Sequence, residues 1–308
     1  MIRASQSDRT EGPKPAQHLR KVPATVARLD CATAFQRIAL GCIANIKAHH
    51  GSACAGDAEA VHQIRMAITR LRAAVSFFAP MTVDAVWPRI KREIAWLNAS
   101  LSAARDSDVV ILYAQRKRYR AWTGQAGQQS LDQRRIQDHR RLARSLRSGR
   151  FQRFMKALLR WIESGPWLVG SARNARDERA EPLQAYSEWK LKHWHRRLVR
   201  KGHDLKTMEA SRRHRLRIKV KRYRYMLEAL MENLPSRRHA KIRHAQRAAK
   251  RLQGGLGDLR DLQRFGHVAA ALSGEPGNGC PPGYAEQRRE LLVEVVTACR
   301  SLKKTRPY

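Results

Sequence analysis

An eleven-residue pattern occurs twice in the sequence, as His62-Gln-Ile-Arg65-Met-Ala-Ile-Thr69-Arg70-Leu-Arg72 and as His214-Arg-Leu-Arg217-Ile-Lys-Val-Lys221-Arg222-Tyr-Arg224. Both copies have the form H-x-x-R-x-x-x-[T/K]-R-x-R. In an α-helix, at about 100° per residue, the first, fourth, eighth and eleventh positions form one stripe, and apolar residues form a neighbouring stripe. Each copy therefore predicts a helix that packs its apolar stripe into a bundle and presents the other stripe as a ridge of cationic side chains.

The repeat extends beyond these two helices. An Arg-Asp pair follows each copy, as Arg105-Asp106 and Arg260-Asp261. Segments 30–50 and 183–203 precede the two copies as a matched pair, and segments 131–148 and 284–304 follow them as another. This order indicates a tandem duplication. We expect four parts in order: a flexible N-terminal segment 1–24, a first helical repeat 25–165, a linker 166–180 and a second helical repeat 181–308.

The spacing of apolar residues favours an all-α fold, because they recur at steps of three and four between clusters of glycine and proline. We predict two tandem helical bundles related by pseudo-twofold symmetry around a basic central cavity. Breaks between helices are expected at Gly124–Gly127 and at Gly254-Gly255-Leu-Gly257. Each Arg-Asp pair is expected at a helix start, where Asp106 and Asp261 would cap the helix or orient the preceding arginine.

The excess of positive charge indicates which class of partner the protein binds. The 308 residues include 62 Lys and Arg against 26 Asp and Glu, a formal net charge of +36. Self-repulsion of this size opposes compaction unless an anion neutralises it, so we expect a polyanionic partner. The five cysteines are odd in number and contain no C-x-x-C pair, which disfavours a disulfide framework or a structural zinc site. No cofactor or metal is predicted, and without a signal-like or membrane-spanning segment we expect a cytoplasmic protein with no membrane insertion.

The candidate binding residues are cations that the repeat places together. Guanidinium forks bind phosphate oxygens through two hydrogen bonds, lysine acts as a mobile point charge and imidazole donates hydrogen bonds. The ridges and their flanks contribute His62, Arg65, Arg70, Arg72, His214, Arg217, Lys221, Arg222 and Arg224, of which Arg70 and Arg222 lie towards the side. The segments leading to the Arg-Asp pairs and the pairs themselves contribute Lys91, Arg92, Arg105, Arg247, Lys250, Arg251 and Arg260. A solvated charged face and a hydrogen-bonded structural role for both histidines are the alternative interpretations.

With both landmarks present twice and in order, the sequence resembles the CHAD family, whose name stands for conserved-histidine α-helical domain. The resemblance covers roughly residues 25–305. It implies two helical bundles around a basic cavity, binding of long-chain inorganic polyphosphate without catalysis, and a location at polyphosphate granules. It also implies ligand contacts for His62, Arg65, Arg72, His214, Arg217, Lys221 and Arg224. The sequence departs from the family pattern at Thr69, where a basic residue is usual, and at Gln263, which replaces a second aspartate.

Three other functions compete with polyphosphate binding. A nucleic-acid-binding protein would use the same charge through counterion release, but aromatic residues make up only 6% of the chain, so stacking platforms are scarce. An enzyme acting on a phosphorylated substrate would need carboxylates for Mg²⁺, which only the regions of Asp106 and Asp108 or of Asp258 and Asp261 could supply. Membrane-surface association would need apolar faces that the bundles already use. No catalytic residue is therefore predicted.

Overall fold

The computed structural model describes residues 29–79, 81–170, 173–272 and 283–307. The predicted flexible segment 1–24 and Cys280 lie outside these residues. The described part of the chain forms ten α-helices: α1 (Cys31–Cys54), α2 (Ala58–Phe77), α3 (Trp87–Ala114), α4 (Lys117–Arg147), α5 (Gly149–Ser164), α6 (Arg173–Ala180), α7 (Leu183–Lys201), α8 (Ala210–Met231), α9 (His239–Leu272) and α10 (Tyr284–Lys303). The predicted all-α class is confirmed. The segment 166–180 contains a 3₁₀ turn at Pro166–Leu168 followed by α6.

Local sequence sets the start of the first helix that carries the repeated pattern. Gly56 adopts φ of +91°, a left-handed conformation that glycine reaches without a Cβ penalty. Asp57 then caps α2, and its carboxylate accepts a hydrogen bond of 2.8 Å from the Glu59 backbone N–H. From this start, Ile64, Ile68 and Leu71 are all buried on one face of the helix. Because this face of α2 packs into the core, the neighbouring ridge of cationic side chains lies at the edge of the core.

The two halves contain matching helices. Helices α1, α2, α3 and α4 of the first repeat correspond to α7, α8, α9 and α10 of the second, and α2 packs against α8 while α3 packs against α9. The larger of two hydrophobic clusters among the described residues extends through both halves, and the smaller one joins α3, α4 and α9. At the α2–α8 contact the equivalent residues Thr69 and Lys221 meet directly, with 3.4 Å between the hydroxyl oxygen and the ammonium nitrogen. Contact between equivalent positions is what the predicted pseudo-twofold axis requires; the symmetry itself stays a prediction.

Two predicted breaks between helices are wrong, and so are the two helix starts predicted at the Arg-Asp pairs. Helix α4 continues through Gly124–Gly127, and α9 continues through Gly254-Gly255-Leu-Gly257. The Arg-Asp pairs lie within α3 and α9 rather than at helix starts, so neither Asp106 nor Asp261 is an N-cap. Tertiary packing explains Gly255 of α9, whereas Gly254 has no neighbour that requires a glycine. A Cβ at Gly255 would lie 2.7 Å from Cγ2 of Val295 on α10, so the absent side chain permits close approach of the two helices.

Within the described residues, no helix combines the length and apolar character needed to cross a lipid bilayer.

The adjacent glycines of α9 provide a matched test of this packing. In Gly254→Ala the new Cβ meets no atom within 4 Å, so we expect a gain of about 1 kcal/mol in the free energy of unfolding, from helix propensity. In Gly255→Ala the Cβ collides with the fully buried Val295, and we expect a loss of about 1–2 kcal/mol. Urea denaturation measures both. Equal stabilisation by the two substitutions would contradict the α9–α10 contact.

Candidate functional site

A cleft of about 370 Å³ opens between the two repeats, and α2, α3, α8 and α9 form its walls. Eight arginine and lysine side chains line it, together with two histidines and two carboxylates. The cationic and imidazole side chains are His62, Arg65, Arg72, Arg105, His214, Arg217, Lys221, Arg222, Arg260 and Arg264, and the carboxylates are Asp106 and Asp261. The packing of α2 against α8 thus brings cations from both copies of the pattern to one place.

The fourth residue of each ridge pattern contacts the neighbouring helix at an equivalent position. Arg65 Nη1 donates a hydrogen bond of 2.8 Å to Ser102 Oγ on α3. Arg217 lies against Gly257 on α9, where a Cβ would be 3.3 Å from the guanidinium Nε. Ser102 and Gly257 are the residues that follow Leu101 and Leu256 in the repeat. The Nε of Arg217 is buried and has no hydrogen-bond partner, so the hydrogen-bonding capacity of this guanidinium is not fully used within the protein.

The two histidines lie beside the arginines of the Arg-Asp pairs. The Arg260 guanidinium donates to the His214 ring, which therefore accepts as a neutral imidazole. Burial, and then the charges of Arg260 and neighbouring arginines, lower the pKa of His214 to about 4. Burial and the Arg105 charge lower the pKa of His62 in the same way. With these lowered pKa values both rings are neutral at pH 7, so they provide hydrogen-bonding groups in the cleft rather than charge.

Lys221 lies at the centre of the contact between the ridges. Burial, followed by the charges of Arg65 on α2 and of Arg217 and Arg224 on its own helix, lowers its pKa to about 7. A lysine normally titrates near 10.4, so the low value shows that the cleft disfavours another positive charge. Thr69, the uncharged departure at the equivalent position, reduces the repulsion that a basic residue would add there.

Arg264 is a cleft residue that the sequence analysis missed. It projects from α9 and pairs with Asp106 of α3, so this contact joins the two repeats. Its equivalent in the first repeat is Val109, so a comparison of the two repeats did not identify Arg264 as a shared cation of the pattern. The one available signal was its position four residues after Arg260, which places both side chains on one face of a helix.

Two predicted site residues of the repeated pattern, Arg70 and Arg224, lie outside the cleft lining. Arg224 is 9% exposed and pairs with Glu228, and its Nε donates to Gln253 Oε1 at 2.8 Å. Arg70 also contacts Glu228, with 3.7 Å between Nη2 and Oε2. Both guanidiniums lie near the Tyr225 ring, at 4.4 Å for Arg224 and 5.7 Å for Arg70. Glu228 therefore neutralises charge at this end of the interface, and the structure does not bring either arginine to the cleft.

The remaining predicted residues divide between the cleft and the surface. Arg222 was predicted beside the ridge and instead lines the cleft with Arg72. Five residues predicted on the helices that carry the Arg-Asp pairs are exposed and outside its lining: Lys91, Arg92, Arg247, Lys250 and Arg251. Their contribution to binding stays a prediction, through the general field of the protein rather than through the cleft.

Two of the four carboxylates considered for metal binding, Asp106 and Asp108, have cationic partners. Asp106 pairs with Arg264, and Asp108 Oδ1 accepts from Arg135 Nε at 2.8 Å and contacts His139 Nε2 at 2.9 Å. No group of three or more metal-ligating side chains occurs among the described residues. The role of Asp106 is thus to orient an arginine, although the arginine belongs to the other repeat.

Comparisons with known proteins agree on the architecture. A crystal structure of the CHAD domain from the plant Ricinus communis superposes with a TM-score of 0.71 at 23% identity, covering 91% of this chain and 94% of that chain. The structure of PptA from Streptomyces chartreusis superposes with a TM-score of 0.58 at 14% identity, covering 89% and 98% of the two chains. No curated protein matches the sequence. At these identities the structural likeness concerns the fold alone.

The sequence profile of the CHAD domain matches residues 37–270, which include both copies of the repeated pattern and both Arg-Asp pairs. This span is well over half of the chain and contains every wall of the cleft. The protein therefore belongs to the CHAD domain family.

Proposed function

We propose that this protein binds long-chain inorganic polyphosphate in the cleft between its repeats and carries out no chemical step on it. The observation that supports this most is the uncompensated charge: eight arginine and lysine side chains face two carboxylates. A chain of phosphates supplies closely spaced anionic oxygens, and arginine binds them with paired hydrogen bonds. Such binding would also place the protein at polyphosphate granules, as the family resemblance implies.

The shape of the cleft favours a slender anion over duplex nucleic acid. Arg65 and Lys221 are partly buried, and the cleft between the helices has a volume of only about 370 Å³. A flexible single chain of phosphates can enter such a space, whereas a duplex carries its phosphates on a wide, stiff cylinder and would contact the outer surface. Exposed cations such as Lys91 and Arg251 remain available for that weaker, nonspecific contact.

Competition between the two polyanions tests the proposal. We expect long-chain polyphosphate to displace the protein from duplex DNA at a phosphate concentration at least about tenfold lower than that of competing DNA, at about 150 mM salt. Fluorescence anisotropy of labelled DNA gives both competition curves. Equal competition, or a preference for DNA, would contradict the proposal and favour a general cationic surface. A strict requirement for a divalent metal, with turnover of the polyphosphate, would favour an enzyme instead.

Two arginine-to-alanine substitutions separate the cleft from the surface. Arg217→Ala removes a cleft guanidinium with an unpartnered Nε, and we expect the affinity for polyphosphate to fall about 10- to 100-fold. Arg251→Ala removes the same charge from the exposed face of α9, and we expect less than a threefold change, as for a screened surface charge. Isothermal titration calorimetry measures both affinities, and circular dichroism confirms folding. An equal loss in both variants would place the site elsewhere.

The lowered pKa of Lys221 predicts that binding weakens as pH rises. In the empty cleft this amine, facing His62, Arg65, Arg217 and Arg224, loses its proton near pH 7, and a bound polyanion raises its pKa again. Binding above pH 7 therefore takes up a proton, and the affinity should fall about tenfold between pH 7 and 8.5. Both histidines are already neutral in this range.

The variant Lys221→Gln provides the control for this pH dependence. It should bind more weakly at pH 6 and lose affinity much less steeply than the wild type between pH 6 and 8.5, because the amine with the pKa of about 7 is gone. Titrations in buffers with different ionisation enthalpies give the number of protons taken up. A wild-type affinity that stays constant across this range would contradict the assigned role of Lys221.

A further inference from the structure

Arg222, a residue of α8, is one of the residues that line the cleft. Arg222 also lines a second cavity, of about 200 Å³, between α7 and α8. Its other lining residues are Ser76, Trp194, Arg197, Leu198 and Lys219. Because one arginine lines both cavities, the cleft and the second cavity are neighbours along α8.

Lys219 continues this path outward. It lines the second cavity and also a third, of about 720 Å³, beneath the turn that joins α7 to α8. The cations of the third cavity are Arg200, Lys201, Arg212, Arg215 and Lys219, and its acidic residues are Asp204 and Glu209. We call the second and third cavities together the α7–α8 groove. The cleft and this groove form a series of spaces, each sharing a cation with the next.

The cations of the α7–α8 groove lack carboxylate partners. Across the described ranges, no ion pair involves Arg197, Lys201, Lys219 or Arg222. Instead, Lys201 and Lys219 lie against each other, and the Lys201 ammonium is the main factor that lowers the pKa of Lys219 to about 8. Two facing ammonium groups repel each other, and an anion placed between them would remove that repulsion.

We propose that the α7–α8 groove is a second polyphosphate-binding segment, joined to the central cleft through Arg222, so that one long chain occupies both. This inference rests on the proposed function of the cleft. It predicts a dependence on chain length: tripolyphosphate fits within the cleft alone, whereas a long chain also contacts Lys219 and Lys201. In the first repeat the equivalent of Arg222 is Arg70, which pairs with Glu228 and does not line the cleft.

The test uses the full chain with Lys201 and Lys219 both changed to alanine. Removing two facing ammonium groups relieves repulsion, so the variant should fold at least as well as the wild type. We expect about a tenfold loss of affinity for long-chain polyphosphate and less than a twofold change for tripolyphosphate. The slope of the logarithm of affinity against the logarithm of salt concentration should decrease by about 1.4 for the long chain, for two lost phosphate contacts.

A matched control removes two charges elsewhere. Lys156 and Arg160 are exposed on α5 and line none of these cavities, so Lys156→Ala/Arg160→Ala changes the net charge equally. A loss of long-chain affinity no larger than in this control would overturn the inference. So would equal losses for tripolyphosphate and the long chain, or a wild type that binds both equally well. If the proposed function of the cleft is itself wrong, Arg217→Ala would leave the affinities for tripolyphosphate and for the long chain unchanged. This outcome distinguishes an error about the cleft from an error about the α7–α8 groove.

Discussion

The packing of α2 against α8 is the contact on which the rest of the structure depends, because it holds two cationic ridges against each other. Buried apolar residues on the neighbouring stripes, including Leu71 and Leu227, oppose the repulsion. Each such side chain contributes about 1.5–3 kcal/mol when it is buried. The pKa of about 7 at Lys221 corresponds to about 5 kcal/mol against its charged form. Hydrophobic burial at this interface can therefore hold several like charges close together.

The protein reduces this repulsion without abolishing it. Glu228 neutralises Arg224 and Arg70 at one end of the interface, and the Asp106–Arg264 pair bridges the repeats in the cleft. Between these ion pairs the histidines are neutral. The arginine charges in the cleft therefore remain without enough carboxylate partners. The two histidines have lost their extra proton at pH 7, and Lys221 is close to losing its own.

The sequence predicted what depends on periodicity and missed what depends on packing between distant segments. The ridge pattern and the order of the duplicated helices identified the all-α class, the cationic walls and most of their residues. It could not reveal that the glycines of α9 lie within a helix, because local propensity favours a turn while Val295 and Arg217 need the space. Nor could it pair Arg264 with Asp106, since 158 residues separate them and the repeat offers no equivalent.

Proton binding follows from the same electrostatics and links stability to ligand binding. Between pH 7 and the ordinary pKa of lysine, the unfolded chain keeps the Lys221 proton that the folded chain releases, so the stability of the empty protein rises with pH. A polyanion bound as proposed would reverse the preference, because its charge favours the protonated amine. A rise in pH that reduces the repulsion within the free protein would thus weaken its complex with a polyanion. A site built from excess charge of one sign binds a polyanion tightly for the same reason that it is costly to leave empty.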